Sequence, residues 1–128
     1  MSHDYVDNVV LKDLSFRVMS AAFEVHNALG FGFLENVYER ALLKELLLRG
    51  ISAETQKEIK VSYKGEEVGS YYADIVVNNE MILELKAAEY LNRLHEAQIL
   101  NYLKATGYKL GLLINFGKEK VEYKRFIL

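Results

Sequence analysis

The sequence predicts a mixed α/β (α+β) fold: a mixed β-sheet with helices on its faces, in the order ααβββαββ. Three observations carry this. Apolar residues recur at helical spacing near the start and again between about 92 and 106, and they alternate at period two through the middle and the end. Glycine or asparagine punctuates most of the junctions. Amphipathic helices and one-sided strands bury their apolar surfaces against each other, and layered packing is how such an order achieves it.

The first helix is expected from about Ser15, where Val18, Ala21, Ala22, Val25 and Leu29 share a face, and Gly30 ends it. Gly30-Phe31-Gly32 is a sharp link. It is no phosphate-binding loop, because no Gly-Lys-Ser/Thr follows. A second helix runs from about Leu34 to Arg49 and stops at Gly50, with Val37, Ala41 and Leu48 as its core stripe and Glu35, Tyr38 and Leu42 on an adjoining one. Ile59, Val61 and Tyr63 alternate with polar residues as a half-buried strand, and Gly65-Glu66 turns it into the next, which Gly69 is placed to bend. A third helix covers about Asn92 to Thr106, with Gly107 as its stop. Leu110, Leu112 and Ile114 form one more strand, and Val121, Tyr123 and Phe126 or Ile127 a last one.

Composition narrows the function. At 128 residues and 51% hydrophobic, the chain reads as one domain over 14–128 with a loosely held arm over 1–13, from which Val9, Val10 and Leu11 can dock. Cysteine is absent, which removes disulfides, thiolate nucleophiles and Cys-type zinc sites. No stretch has the length of a membrane span and Met1 to Asn8 is too polar for a signal peptide, so the expectation is a cytoplasmic protein without a membrane partner. A net charge of −2 argues against a surface that attracts polyanions everywhere. Lys104, Lys109, Lys118, Lys120, Lys124 and Arg125 nonetheless give the last quarter a positive excess, which also suits solvated strand edges.

The chemistry concentrates in Tyr72-Ala-Asp74-Ile-Val-Val-Asn-Asn-Glu-Met-Ile-Leu-Glu84-Leu-Lys86, which reads as a hairpin. Alternation puts Ala73, Ile75 and Val77 with Met81, Leu83 and Leu85 on an apolar face, and Tyr72, Asp74, Val76, Ile82, Glu84 and Lys86 on the other. A two-residue turn would set Asp74 and Glu84 on opposite sides. A three-residue connection through Asn78, Asn79 and Glu80 pairs Asp74 with Glu84 and keeps both apolar sets together, so it is the register expected. Opposed residues have Cβ atoms about 4.5–5.5 Å apart, where two carboxylates must raise a pKa or share a cation. Such an all-oxygen pair suits Mg²⁺, with Mn²⁺ as substitute. Lys86 lies about 7 Å farther along the same face. The competing reading is an ordinary Glu/Lys ladder on a solvated strand.

On the third helix, His95, Gln98 and Tyr102 stand at i, i+3 and i+7 beside the core row of Ile99 and Leu103, a polar row suited to walling a cleft. His95-Glu96 is not a zinc-protease motif, since Ile99 stands where the second His is needed. His26 suits a helix-end partner better than a ligand.

Asp74 followed by Glu84-Leu85-Lys86 resembles the PD-(D/E)XK nucleases, and Gln98-x-x-x-Tyr102 is similar to the element that follows this strand in RecB-type members. More specifically, Gly32-x-x-Glu35-x-x-Tyr38 resembles the hallmark of the GxxExxY family of that superfamily. Tyr72-Ala-Asp74, Glu84-Leu85-Lys86-Ala87, His95-Glu-Ala-Gln98 and Leu113-Ile-Asn115-Phe-Gly117 extend the likeness from Ser15 to Phe126. Tyr72 departs from it, standing where many members carry a basic residue.

The resemblance implies a restriction-endonuclease-like core and Mg²⁺-dependent hydrolysis of phosphodiesters in DNA or RNA. Asp74, Glu84 and the Leu85 carbonyl would hold the metal, and Lys86 would orient water. Glu35 would tune Lys86 or share a second metal. Gln98, Tyr102, Tyr38 and His95 are the expected substrate contacts, with Tyr38 reading equally as a core ring with a hydrogen-bonded hydroxyl. Nucleic acid, foremost DNA, is the expected partner, with self-association or a separate targeting subunit supplying specificity. The alternatives are a non-catalytic nucleic-acid-binding or assembly module that keeps the fold and, more weakly, a phosphatase acting on small phosphoesters.

Overall fold

Two helices begin the chain in the computed structural model, which describes residues 3–128, with side chains from residue 9 on. α1 (His3–Leu29) starts well before Ser15. The arm expected over 1–13 therefore lies partly outside the described side chains, and within it Val9 and Val10 are exposed while Leu11 packs on the core. Beyond the Gly30–Gly32 link comes α2 (Glu35–Leu48).

The five strands are β1 (Ala53–Tyr63), β2 (Glu66–Val77), β3 (Met81–Lys86), β4 (Leu110–Asn115) and β5 (Glu122–Ile127), with α3 (Arg93–Thr106) between β3 and β4. They form one sheet in chain order, antiparallel except for the β3–β4 pair. A parallel neighbour needs a crossover, and α3 provides it. β3 and β4 are covered on both faces, which explains their nearly continuous apolar runs.

α1 and α2 share one core cluster with Ile75, Val77, Met81, Leu83, Leu85, Leu112 and Ile114. On the opposite face, Leu103 of α3 packs with Ile59, Ala73, Val76 and Ile82. Gly111 lets α3 approach there: a Cβ would stand 2.9 Å from Ile99 Cδ1.

Two stripes differ from expectation. The core row of α2 is Tyr38, Leu42 and Leu46, all fully buried, whereas Leu48 is 71% exposed. The Tyr38 ring decides this by stacking flat on Phe116, with centroids 4.7 Å apart. In β2, Ala73 does not share a face with Ile75 and Val77; it belongs to the α3 side. Strict alternation would forbid that, so the strand changes faces between Ala73 and Ile75, that is, at Asp74. β1 is irregular at the same level. Thr55 pairs with Ile75 and Lys57 with Ala73, but the intervening Gln56 has φ +54° and makes no pair.

The β2–β3 connection has the three-residue form, with Val77 opposite Met81 and Ile75 opposite Leu83. Asn78 and Asn79 hold the left-handed conformation that asparagine tolerates. At the far end, Lys64-Gly65, both with positive φ, turn β1 into β2, and a bulge at Val68 beside Gly69 shifts the register.

Candidate active site at the end of the β2–β3 ladder

The ladder between β2 and β3 stops at Ile75–Leu83, and the next residues in that register are Asp74 and Glu84. With the ladder open, their side chains take over its hydrogen bonds. Leu85 N donates to Asp74 Oδ2 at 2.8 Å, and Asp74 N donates to Glu84 Oε1 at 3.4 Å. Both carboxylates are thereby drawn into one gap in the sheet.

Glu84 is 7% exposed, rare for a carboxylate. Burial, then the neighbouring Asp74 charge and a carboxyl–carboxyl hydrogen bond, push its pKa up to about 9, against smaller opposing pulls from the Asp74 N–H and then from Lys86. Two acids so placed share either a proton or a cation. The Leu85 carbonyl leaves the strand on the same side as its N–H, because a residue's two backbone groups point the same way in an extended strand, whereas Lys86 O faces β4 and accepts from Phe116 N.

Across the gap, the start of α2 closes a cavity of about 200 Å³ lined by Glu35, Asn36, Glu39, Gln56, Asp74 and Leu85. Glu39 has its pKa raised by burial and by Asp74, against the lowering effect of a hydrogen bond from Gln56. Gln56 Nε2 donates to Glu39 Oε1 at 2.6 Å.

His95 sits in the first turn of α3, where Asn92 and His95 form a reciprocal cap. Asn92 Oδ1 accepts from His95 N at 3.0 Å and His95 Nδ1 accepts from Asn92 N at 3.3 Å. With Nδ1 accepting, the neutral ring carries its proton on Nε2. Burial and then the Lys86 charge lower its pKa, while Glu35 pulls the other way, so Lys86 and Glu35 both lie near this ring.

Behind Glu84, a groove of about 600 Å³ runs between α3 and the β1–β2 ribbon, lined in part by Gln98, Tyr102, Tyr71, Lys60 and Lys104. The rings of Tyr71 and Tyr102 meet at 4.0 Å. Burial raises both phenol pKa values, Tyr71 to about 12, and Glu84 raises each further. The Tyr71 hydroxyl is buried without a hydrogen-bond partner among the described residues.

Asp74, Glu84, Leu85, Lys86, Glu35 and His95 are thus drawn together, with Gln98 and Tyr102 beside them. Tyr38 is not. Expected against substrate, it is fully buried, donates its hydroxyl proton to Gly30 O at 2.7 Å and accepts from Phe33 N at 3.3 Å. It braces the α1–α2 link. His26, also buried, bonds Lys118 O at 2.8 Å through Nε2. Glu39, Gln56 and Tyr71 were missed by sequence reasoning. Glu39 follows Glu35 by four residues, which places both on one helix face and was readable; nothing in the sequence marks Gln56.

No group of three or more His, Asp or Glu side chains among the described residues is arranged to hold a metal. Two carboxylates and a carbonyl nonetheless fit a hard divalent cation such as Mg²⁺, which is commonly held by one or two carboxylates and keeps several positions for water and phosphate oxygens.

A family model for the PD-(D/E)XK nuclease superfamily matches residues 12–126. Among solved structures, the crystal structure of SSO0001 is similar, with TM-score 0.55 and 19% identity over 72% of this chain. The match spans 48% of that protein, about half its length, and at this identity it speaks for the fold alone. Comparison with curated proteins finds no match.

Proposed function

This chain belongs to the PD-(D/E)XK nuclease superfamily, and from that premise we propose that it is a divalent-metal-dependent nuclease of the GxxExxY branch, hydrolysing phosphodiester bonds in DNA. The observation that carries the reading is the Asp74–Glu84 pair, two carboxylates hydrogen-bonded in a gap of the sheet with Glu84 pushed up to about 9. Such a pair is unfavourable by itself and is relieved by a cation.

In this reading Asp74 and Glu84 supply anionic oxygen donors and Leu85 a neutral one. Mg²⁺, or Mn²⁺ in its place, would contribute Lewis-acid polarisation of the phosphate and a water of lowered pKa. Lys86 orients the attacking water and offsets charge as the pentavalent state forms. Glu35, across the cavity, sets the Lys86 ammonium. Neutral His95 offers Nε2–H towards the same space, and Gln98 and Tyr102 hold the nucleic-acid strand along the groove.

Residues 14–128 act as the single nuclease domain. No helix of the described residues is long and apolar enough to cross a membrane, and the reading places its action in the cytoplasm. With net charge −2, the chain depends on self-association or a targeting subunit to find its substrate.

Incubation with single-stranded DNA, duplex DNA and RNA, each with Mg²⁺, Mn²⁺ or chelator, tests this. DNA cleavage is expected only with divalent metal and is lost in Asp74→Ala and Lys86→Ala. Cleavage that persists in chelator, or proceeds equally in both variants, overturns it.

A further inference from the structure

We propose that Gln56 and Glu39 are positioning residues for the cation site: the left-handed backbone of Gln56 opens the sheet at Asp74, and its amide ties Glu39 to the cavity wall. The proposal rests on the cation reading of Asp74 and Glu84 given above, and extends it to residues outside the Asp, Glu-x-Lys pattern.

Four non-glycine residues have positive φ among the described ones. Lys64, Asn78 and Asn79 are in hairpin turns, where that conformation is wanted; Gln56 stands in the middle of a strand. Glutamine gains nothing locally from φ +54°, and a strained residue inside a regular element persists only where its surroundings impose it, commonly at functional sites.

The consequence falls on one partner. β1 and β2 pair at Thr55–Ile75 and at Lys57–Ala73, and the pair skipped between them is Gln56–Asp74. Asp74 also lies just past the end of the β2–β3 ladder. Its backbone is therefore released on both sides, at the residue where β2 changes faces, and its carboxylate can reach Leu85 N at 2.8 Å.

The Gln56 side chain does the second half of the work. Its Nε2 reaches α2 and donates to Glu39 Oε1 at 2.6 Å, with Glu35, Asn36, Asp74 and Leu85 lining the same cavity. Glu39 and Asp74 are close enough for their charges to interact. Held by the amide, Glu39 keeps α2 and its first acid, Glu35, at a set distance from Asp74. Residues that orient a ligand without touching the metal govern affinity in this way.

Calorimetric titration of Mn²⁺ into metal-free protein tests the proposal, with melting temperature as the second readout. Gln56→Gly deletes the amide but favours the same backbone conformation, so it should melt at or above the wild type while binding Mn²⁺ about 10–100-fold more weakly. Glu39→Ala, which removes the acceptor of the Gln56 amide, should weaken binding by a similar factor without lowering the melting temperature. Gln56→Asn, which also tolerates positive φ, shortens the amide and serves as an independent variant with the same expected loss. Mn²⁺ affinity in Gln56→Gly and Gln56→Asn indistinguishable from the wild type overturns the proposal, as does a loss that only tracks melting temperature. Asp74→Ala separates the two levels. Should it bind Mn²⁺ like the wild type, the cation reading fails and this proposal with it; should it lose binding while the Gln56 variants keep it, only the positioning role falls.

Discussion

At the α1–α2 link, Tyr38 gives its hydroxyl proton to Gly30 O, accepts from Phe33 N and lies flat on Phe116. Beyond the end of the β2–β3 ladder, Asp74 and Glu84 face each other across a gap with a Glu84 carboxyl pushed up to about 9. The buckle and the carboxylate pair both draw on the most recognisable stretches of sequence, yet they treat polar groups oppositely. In the buckle every polar atom just named has a partner, and the same holds for the neighbouring Asn115, fully buried, which accepts from Ala88 N and Gly117 N and donates to Ala88 O. In the pair, two carboxyl groups that repel when both are ionised are held together by backbone donors. A satisfied cluster stabilises; a frustrated one awaits something else.

The contrast predicts that damage to the pair is read in chemistry and damage to the buckle in stability. The largest effect belongs to Asp74→Ala and Lys86→Ala, each expected to lower metal-dependent cleavage by at least about 100-fold while the metal-free protein melts no lower than the wild type. A large drop in melting temperature in either would erase the distinction.

Next in size is Tyr38→Ala, which empties a fully buried ring site and should cost about 3–5 kcal/mol in urea unfolding. Mn²⁺ affinity, measured where the variant is still folded, should be unchanged. Weakened binding there would mean that the buckle belongs to the site after all.

The pair should also show itself through pH. Because Glu84 binds its proton more tightly in the folded chain than at its ordinary value of 4.5, its contribution to metal-free stability is fully present below about pH 4.5 and is lost as pH rises towards about 9. Melting curves in chelator should fall over that window, on the order of a few kcal/mol. Glu84→Gln should flatten the slope, and added Mg²⁺ should stabilise most at the alkaline end, where the carboxylate is free to bind it. A flat profile in the wild type would show the two acids to be relaxed.

Smallest is Tyr38→Phe, which removes one hydroxyl and should cost about 1 kcal/mol by the same urea assay with cleavage retained. Together with Tyr38→Ala it separates the ring's packing from its hydrogen bonds.

How much of this was legible follows from which forces act locally. Element order was readable because periodicity and glycine stops are local, and the three-residue connection at Asn78–Glu80 because only that register keeps the apolar sets of β2 and β3 on one surface. Periodicity puts Leu48 in the core because two neighbouring stripes of α2 are both apolar, and a residue 78 positions from Tyr38, Phe116, selects between them. Alternation puts Ala73 on the wrong face because it assumes an unbroken strand. Tyr38 reads equally as a core ring or a substrate contact because its place in a motif says that it matters, not whether for packing or for chemistry.

The sequence by itself determined which acids and which ammonium this protein has, on which strands they stand, and that Asp74 opposes Glu84, since composition, alternation and turn length are properties of short stretches. The tertiary structure alone decided that β2 changes faces at Asp74, that Gln56 takes a left-handed conformation beside it, and that Glu39 closes the cavity. Those features arise where β1, β3 and α2 meet β2 at one residue. Backbone strain at such a junction is set by all the partners at once and leaves no trace in any single segment.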